Sequence, residues 1–365
     1  MATISERKEQ HLTLAVALGD GQDGGPGWPD VHLVHHALPS GTPDGVDVST
    51  RLLGRRLPIP LVIAGMTGGH PAAAELNARL ARAAERTGVA MGVGSQRAAL
   101  RDPSLAGTYA VARSNAPSTL LIGNVGAAQL LDQRTERALS AADIRRAVDM
   151  IGADALALHL NFIEESVQPE GQTNAEGLTA AIGALCQDLD VPVMVKETGG
   201  GVSGPVAATL ASCGAAALDV GGRGGTSFRA IEAQRAQEHA HATKRGIGRA
   251  LAGWGIPTPV SVAWCAGVLP VVATGGIRSG VEAAKAIALG ATAVSVGRPL
   301  LECAMRGEDA VVEWIDTFEA ALRAALFLSG CRTLADLRTA PRVVLGDTRH
   351  WLTQLGLTGG PGGGG

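Results

Sequence analysis

Eight short runs of β-branched residues recur along the chain, and each is followed by a glycine-rich turn and an alanine-rich segment with helical spacing. Strands that alternate with helices form parallel βαβ units. Eight such units predict a closed (β/α)8 TIM barrel, for which 365 residues is an ordinary length. The predicted strands are Pro60–Met66, Val89–Ser95, Thr119–Val125, Ala155–Asn161, Pro192–Glu197, Ala216–Gly221, Pro270–Thr274 and Ala293–Gly297.

The competing fold is a doubly wound open sheet, and it is disfavoured because no G-x-G-x-x-G follows the first predicted strand. Helical spacing is clearest in Ala72–Thr87 and Gly280–Leu289. The long connection Arg223–Leu269 is expected to carry an extra loop or helix over the barrel mouth. We predict an N-terminal arm or cap over residues 1–59, the barrel over residues 60–351, and a flexible glycine-rich tail over residues 352–365.

Charge and cysteine content exclude several classes of function. The net charge is −3, so no basic surplus points to nucleic acid or to an anionic membrane surface. No apolar run approaches the roughly 20 residues that span a bilayer, and the polar N-terminus does not resemble a signal peptide. The five cysteines are scattered without metal-binding spacing. We therefore expect a cytoplasmic protein with a small-molecule substrate.

Two glycine and arginine turns stand at the ends of the last two predicted strands. Gly275 and Gly276 precede Arg278, and Gly297 precedes Arg298 at the start of a helical segment. The loops after strands seven and eight are the usual phosphate site of this fold. Simple tight turns are the alternative interpretation, but the position of both turns favours a phosphate.

Further unusual residues collect at other strand ends. Lys196 ends an apolar strand, where it could face the electron-rich edge of a flavin or form a structural ion pair with a neighbouring carboxylate; position alone does not decide. His159 and Asn161 alternate along strand four and share a face, although a lone histidine is commonly a satisfied core residue. Glu165 could hold Mg²⁺ against phosphate oxygens, but a solvated loop charge is the commoner role for it and for Glu164.

In addition, the chain resembles the type 2 (FMN-dependent) isopentenyl diphosphate isomerase family in a series of motifs that covers roughly residues 5–350 in order. G-G-I-R alone is shared with other FMN barrels, whereas the N-terminal arm, H-L-N and W-G-I-P-T are more specific. The motifs are R-K-x-x-H (Arg7–His11), V-H-H-A-L-P (Val34–Pro39), M-T-G-G (Met66–Gly69), G-S-x-R (Gly94–Arg97), H-L-N to Q-P-E-G (His159–Gly171), V-K-E (Val195–Glu197), G-R-G-G-T (Gly222–Thr226), W-G-I-P-T (Trp254–Thr258), G-G-I-R (Gly275–Arg278) and R-P-L-L (Arg298–Leu301).

The resemblance implies a set of ligand-binding residues. Mg²⁺ is expected on Glu165, and the catalytic residues are expected to be Glu164, His159 and Asn161. The substrate diphosphate and its prenyl group are expected on Arg7, Lys8, His11, Ser95, Arg97 and Glu164. FMN is expected on Gly65, Met66, Thr67, Ser95, Asn124, Lys196, Thr226, Gly276, Arg278, Gly297 and Arg298.

The resemblance also implies the reaction. Such enzymes interconvert isopentenyl and dimethylallyl diphosphate without net redox change, and they need reduced flavin, which NADPH or another reductant supplies. Flavin N5 is the favoured acid and base for moving the proton. The family commonly forms homo-oligomers, so a tetramer or larger assembly is expected.

Four departures from the family pattern bear on the reaction. Glu164 replaces a glutamine that lies beside the reacting double bond, Phe162 replaces a smaller residue, Gln172 replaces an aspartate, and Gly221 replaces a serine. Three of the four fall on the loop after strand four. A relative that acts on a different prenyl or terpenoid substrate, by proton-triggered isomerisation or cyclisation, is therefore the alternative function.

Two further classes of function would use the same residues. An FMN-dependent 2-hydroxy-acid oxidase shares the barrel and the flavin contacts, but it needs a histidine base after strand six, and Gly222–Gly225 contains none. A non-catalytic flavin-binding protein would keep the lysine and the phosphate turns, and only an activity measurement separates it from an enzyme.

Overall fold

The computed structural model describes residue 14 and residues 23–134, 136–238 and 241–357. Eight parallel strands close into a barrel, with each strand paired to the next in the chain and the last paired to the first. The predicted closed barrel is confirmed, the open sheet is wrong, and every predicted segment overlaps one barrel strand. The strands are β1 Leu61–Ile63, β2 Ala90–Gly92, β3 Leu121–Gly126, β4 Ala155–Leu160, β5 Val193–Glu197, β6 Ala217–Asp219, β7 Val271–Thr274 and β8 Ala293–Val296.

Helices surround the barrel, and both helical segments predicted from spacing are present, as α1 Pro71–Thr87 and α11 Gly280–Ala288. The long connection after β6, where an extra loop or helix is expected, carries three helices: α8 Phe228–Glu238, α9 Ala242–Ala250 and α10 Thr258–Cys265. The helices are α1 Pro71–Thr87, α2 Arg97–Arg101, α3 Gly107–Asn115, α4 Ala141–Ile151, α5 Phe162–Val167, α6 Leu178–Asp188, α7 Gly204–Ser212, α8 Phe228–Glu238, α9 Ala242–Ala250, α10 Thr258–Cys265, α11 Gly280–Ala288, α12 Arg298–Arg306, α13 Glu308–Leu328, α14 Leu334–Thr339 and α15 Gly346–Gln354. In the described parts of the chain, no helix combines the length and apolarity needed to cross a bilayer.

Helix boundaries follow from local sequence. His70 caps α1 by accepting a hydrogen bond from the Ala72 N–H, Pro71 occupies the first turn, and Gly88 ends the helix in a left-handed conformation at φ 72°. A reciprocal capping box between Ser140 and Asp143 starts α4. These capping interactions determine the residues at which the two helices begin and the residue at which α1 ends.

The apolar core divides into two parts. The larger part lies between the strands and the helices. The smaller part fills the barrel interior with side chains such as Ala90, Ala155 and Ala217, which are the first residues of their strands. A hairpin of Thr50–Leu52 and Arg55–Leu57 packs its leucines into this smaller core. The N-terminal end of the barrel is thus filled, which leaves the opposite end for a ligand.

Segments before and after the barrel meet each other. Val31–Leu33 pairs in antiparallel fashion with Arg342–Val344, and a single turn of 3-10 helix, Trp28–Asp30, precedes the first of these strands. Residues 23–33, which we call the strap, therefore end in the pair with the strand that precedes α15.

Candidate active site

A cavity of about 450 Å³ opens at the C-terminal ends of the barrel strands, and residues at or after the ends of all eight strands line it. Its size lies within the range of small-molecule and cofactor sites. Most of the residues predicted from the sequence share this cavity. They are Gly65, Met66, Thr67, Ser95, Arg97, Asn124, His159, Asn161, Glu164, Glu165, Lys196, Thr226, Gly276, Gly297 and Arg298.

The remaining predicted residues lie elsewhere. Arg278 is exposed and is not part of the cavity wall, although its guanidinium donates to the Gly276 carbonyl oxygen at 3.2 Å. Through this bond, Arg278 contacts the glycine turn that lines the cavity. Arg7, Lys8 and His11 fall outside the described residues.

The turn after β7 has the geometry of a phosphate cradle. Gly275 and Gly276 have φ angles of 121° and 71°, which residues with a Cβ rarely adopt. The Gly276 N–H faces no acceptor among the described residues. Gly297, at the end of β8, is the N-cap of α12. Two backbone turns and Arg298 thus fit a bound phosphate group.

Lys196 lies in the cavity wall at the end of β5. Its Nζ donates to the Glu197 carbonyl oxygen at 3.2 Å, and it makes no direct ion pair with a described carboxylate. Of the two interpretations left open by the sequence, this geometry favours the one in which the ammonium group serves a ligand. A positive charge of this kind fits the flavin edge that becomes negative on reduction.

Glu197 lines the same cavity, and its chemistry was not anticipated from the sequence. Its Oε2 accepts hydrogen bonds from the backbone N–H groups of Thr198 at 2.6 Å, Gly199 at 2.7 Å and Gly200. Burial nevertheless raises the pKa of Glu197 to about 7, because these donors and the nearby Lys196 offset only part of the desolvation. Burial also raises the pKa of Asp219.

A hydrogen-bonded pair fixes the orientation of His159. The Asn124 Nδ2 donates to the Val93 carbonyl oxygen at 3.0 Å, so its Oδ1 must be the partner of His159 Nδ1 at 2.9 Å. Because an amide oxygen only accepts, Nδ1 carries the proton. This bond therefore fixes the orientation of the imidazole ring at the cavity wall.

The two adjacent glutamates after β4 differ in their surroundings. Glu165 is buried, and its two oxygens accept from Asn161 Nδ2 at 3.0 Å and from the Gln172 backbone N–H at 2.6 Å. Glu164 is half-buried, and Asn161 Nδ2 lies 3.4 Å from its Oε2. Within the described chain, no group of three or more acidic, histidine or cysteine residues could hold a metal. A metal ion on Glu165 would therefore need oxygens from a ligand as well.

Arg97 belongs to an ionic network that the sequence did not reveal. Glu136, on the loop after β3, accepts from the guanidinium groups of Arg97 and Arg101 and from the Gln172 side-chain amide. Gln172 also bonds Glu165 through its backbone, so this residue connects the Arg97 side of the site to the glutamate side. The Q-P-E-G motif pointed to the loop that contains Gln172, but nothing in the sequence singled out Glu136.

Comparison with known proteins identifies the family. The chain is 45% identical over 356 residues to the isopentenyl-diphosphate delta-isomerase of Methanothermobacter thermautotrophicus, with 97% of each chain covered. It is 47% identical to that of Methanoregula boonei, covering 95% of this chain and 96% of the relative, and 42% identical to that of Archaeoglobus fulgidus, covering 97% and 100%. A family model described as FMN-dependent dehydrogenase matches residues 161–343. This chain belongs to the FMN-dependent isopentenyl-diphosphate delta-isomerase family.

Solved structures with the same fold include flavin oxidases. A mandelate oxidase variant with a monooxide FMN adduct superimposes with a TM-score of 0.61 at 23% identity, covering 92% of each chain. A mandelate oxidase variant with (S)-mandelic acid gives a TM-score of 0.62 at 22% identity, covering 93% of this chain and 94% of the oxidase. At these identities the likeness concerns the fold alone.

The departures from the isomerase family pattern have different consequences in the structure. Glu164 lies in the cavity wall. Phe162 is the first residue of α5 and is not part of the wall. Gly221 has φ 43°, and a Cβ there would lie 1.9 Å from the Glu197 carbonyl oxygen. A serine at this position would require the end of β5 to move.

Proposed function

We propose that this protein interconverts isopentenyl diphosphate and dimethylallyl diphosphate, using FMN in its reduced form, Mg²⁺, and NADPH as the reductant. One observation carries the proposal: the phosphate turns, Lys196 and the glutamate pair after β4 all line one cavity. The family relationship supports the same activity.

Different residues of the cavity wall would bind different groups of the cofactor and the substrate. Gly276, Gly297 and Arg298 would hold the flavin phosphate, and Lys196 would hold the flavin edge. Arg97, together with Arg7, Lys8 and His11 of the arm, would bind the substrate diphosphate. Bound reduced FMN would supply the acid and base for moving the proton.

Mg²⁺ would be held by the Glu165 carboxylate and by the diphosphate itself. Each Glu165 oxygen accepts one protein hydrogen bond and keeps a second lone pair for a metal. Because one carboxylate is a weak site alone, we expect Mg²⁺ to bind tightly only when a diphosphate is present. His159 and Asn161 would hold the substrate and the Glu165 carboxylate in the correct relative positions.

The test is a turnover measurement under anaerobic conditions. Purified protein with FMN, NADPH, Mg²⁺ and isopentenyl diphosphate is expected to form dimethylallyl diphosphate. Omission of NADPH and removal of Mg²⁺ with a chelator are the two controls, and each is expected to abolish product. Absence of product from fully reduced holoenzyme would overturn the proposal.

A second candidate keeps the cofactor and changes the substrate. The observation that favours it is Glu164, because a carboxyl group in the wall can exchange a proton with an alkene, whereas a glutamine cannot. Longer prenyl diphosphates and terpenoids are the substrates to assay. Turnover of the five-carbon substrate alone would exclude it.

The homo-oligomer expected from the family resemblance, a tetramer or larger, is also part of the proposal. Light scattering of the holoenzyme after gel filtration gives its mass directly.

A further inference from the structure

Trp28 connects the strap to the phosphate turn. Its side chain is fully buried, and its indole N–H donates to the Gly275 carbonyl oxygen at 3.0 Å. The two residues are far apart in the sequence, so the contact belongs to the tertiary structure alone. A tryptophan N–H can only donate, and a buried one needs an acceptor, so the bond determines how the Gly275 carbonyl points.

The direction of that carbonyl determines the direction of the next N–H. In a planar trans peptide, the C=O of one residue and the N–H of the following residue point in opposite directions. A Gly275 carbonyl held towards Trp28 therefore turns the Gly276 N–H away from Trp28. Gly276 lines the cavity, and its N–H donates to no described residue. Gly225 leaves room beside it, since a Cβ there would come within 2.9 Å of the Gly276 nitrogen.

Other contacts hold the strap in place. Lys285 Nζ of α11 donates to the Trp28 carbonyl oxygen at 2.9 Å, and the Thr348 hydroxyl donates to the Gly27 carbonyl oxygen at 3.3 Å. Pro26 covers the turn, because a Cβ on Gly276 would lie 2.5 Å from the Pro26 side chain. Trp28 is thus a rigid donor rather than a side chain that adjusts to the turn.

We infer that Trp28 is a positioning residue for the flavin phosphate: its indole holds the peptide between Gly275 and Gly276 so that the Gly276 N–H faces the cavity before the cofactor binds. Pre-orientation of this kind lowers the cost of binding, since the peptide need not be ordered by the ligand. The inference rests on the proposed placement of the phosphate at this turn.

The experiment compares FMN with riboflavin, which has the same ring system and no phosphate. Apoprotein is prepared for the wild type and for Trp28→Phe, and both ligands are titrated by flavin fluorescence. One neutral hydrogen bond accounts for a change of about three- to tenfold in affinity. We expect Trp28→Phe to weaken FMN binding by about that factor and to leave riboflavin binding unchanged. Equal weakening of both ligands, or of neither, would overturn the inference.

Three further variants make the result unambiguous. Trp314→Phe alters a tryptophan that stacks on Phe318 within α13, and it is expected to change neither affinity. Arg298→Ala tests the placement of the phosphate and is expected to weaken FMN alone. If Arg298→Ala does so and Trp28→Phe does not, the placement stands and the role of Trp28 fails; if neither does, the placement itself fails.

Lys285→Met covers the case in which Trp28→Phe does not fold. It removes the contact that holds the Trp28 backbone and leaves the indole in the chain. A smaller loss of affinity, again for FMN and not for riboflavin, is expected, and an unchanged FMN affinity would count against the inference. Turnover is not measured in any arm, so the outcome is independent of the proposed isomerase activity.

Discussion

At the scale of single residues, Lys196 and Glu164 are two ionisable side chains in the wall of one cavity. Lys196 makes no direct ion pair with a described carboxylate, and Glu164 stands where the family has a neutral amide. The effect of each side chain on the reaction depends on the ligand that binds in the cavity. Both can therefore be tested by changes that alter charge and preserve size.

Lys196→Met is expected to weaken FMN retention and to disfavour the reduced, anionic flavin, because the variant keeps the apolar stem and loses the positive charge. We expect the flavin midpoint potential to fall by at least about 30 mV, which is about 1.4 kcal/mol for a two-electron couple. Lys196→Arg keeps the charge and serves as the control. An unchanged flavin content and potential in the methionine variant would show that the lysine is only structural.

Glu164→Gln restores the residue of the family, so isopentenyl diphosphate isomerisation is expected to be preserved or improved. In any reaction of a longer prenyl diphosphate that uses the carboxyl group as acid or base, the same change is expected to cost at least about tenfold, or about 1.4 kcal/mol. Both activities are measured across pH, with the exposed Glu176→Gln as the matched control. If every rate and pH profile is unchanged, Glu164 is a tolerated substitution.

At the scale of secondary-structure elements, the regular parts of the barrel could be predicted because their patterns are local. Runs of β-branched residues gave all eight strands, although the predicted segments extend past several observed ends. For example, β2 stops at Gly92, whereas the prediction continues to Ser95. Beyond that end, the Val93 N–H still donates to the Ile122 carbonyl oxygen of β3 at 3.1 Å, and the Gly94 N–H donates to the Thr67 carbonyl oxygen at 2.9 Å. Composition does not distinguish such extended residues from a strand.

The crossing of α11 and α13 depends on one glycine. A Cβ on Gly280 would lie 2.1 Å from the Phe318 carbonyl oxygen and 2.3 Å from the Leu322 nitrogen, both backbone atoms of α13. We expect Gly280→Ala to lower the free energy of unfolding by about 1–3 kcal/mol, since the helices must separate. Denaturant titration of the apoprotein measures the change.

Gly183→Ala in α6 is the matched control for that prediction. Nothing lies within 4 Å of a Cβ at this position, so the substitution is expected to stabilise the protein by about 0.5–1 kcal/mol through helix propensity. Equal effects of the two alanine substitutions would contradict the proposed role of Gly280.

At the scale of the whole molecule, contacts between distant segments were the part that the sequence could not supply. Arg229 bonds the Asp23 carboxylate through its Nε at 2.7 Å, and the Arg223 guanidinium bonds the Asp23 carbonyl oxygen at 2.8 Å. A periodic pattern within one helix or strand does not indicate such contacts. Gly276 is an example: its pattern predicts a ligand turn, but it does not indicate that Pro26 packs against the same residue. Glu136 could not be predicted either, because its partners are distant in the sequence and a loop carboxylate is usually solvated.

The stability of the whole molecule is expected to depend on pH through Glu197. Its pKa is raised from 4.5 to about 7 in the folded protein, so the folded state binds more protons than the unfolded state between those values. The free energy of unfolding therefore falls as pH rises through this window, by up to about 3 kcal/mol from this group, and is constant above it.

Glu197→Gln isolates this contribution, because the amide oxygen can accept the same three backbone N–H groups and does not titrate. Urea unfolding of both apoproteins from about pH 4.5 to pH 8 gives the comparison, with the difference expected to grow in favour of the variant as pH rises. A difference that is the same at every pH would show that the carboxyl group titrates normally.

The antiparallel pair of Val31–Leu33 and Arg342–Val344 has a consequence for biosynthesis. A ribosome makes the first of these segments early and the second near the end of translation. The barrel strands are all synthesised before the partner of the strap emerges, so a nascent chain can close its barrel while the strap is still unsupported. We expect chains that terminate before Arg342 to bind FMN more weakly than the complete chain, which co-purified flavin content measures.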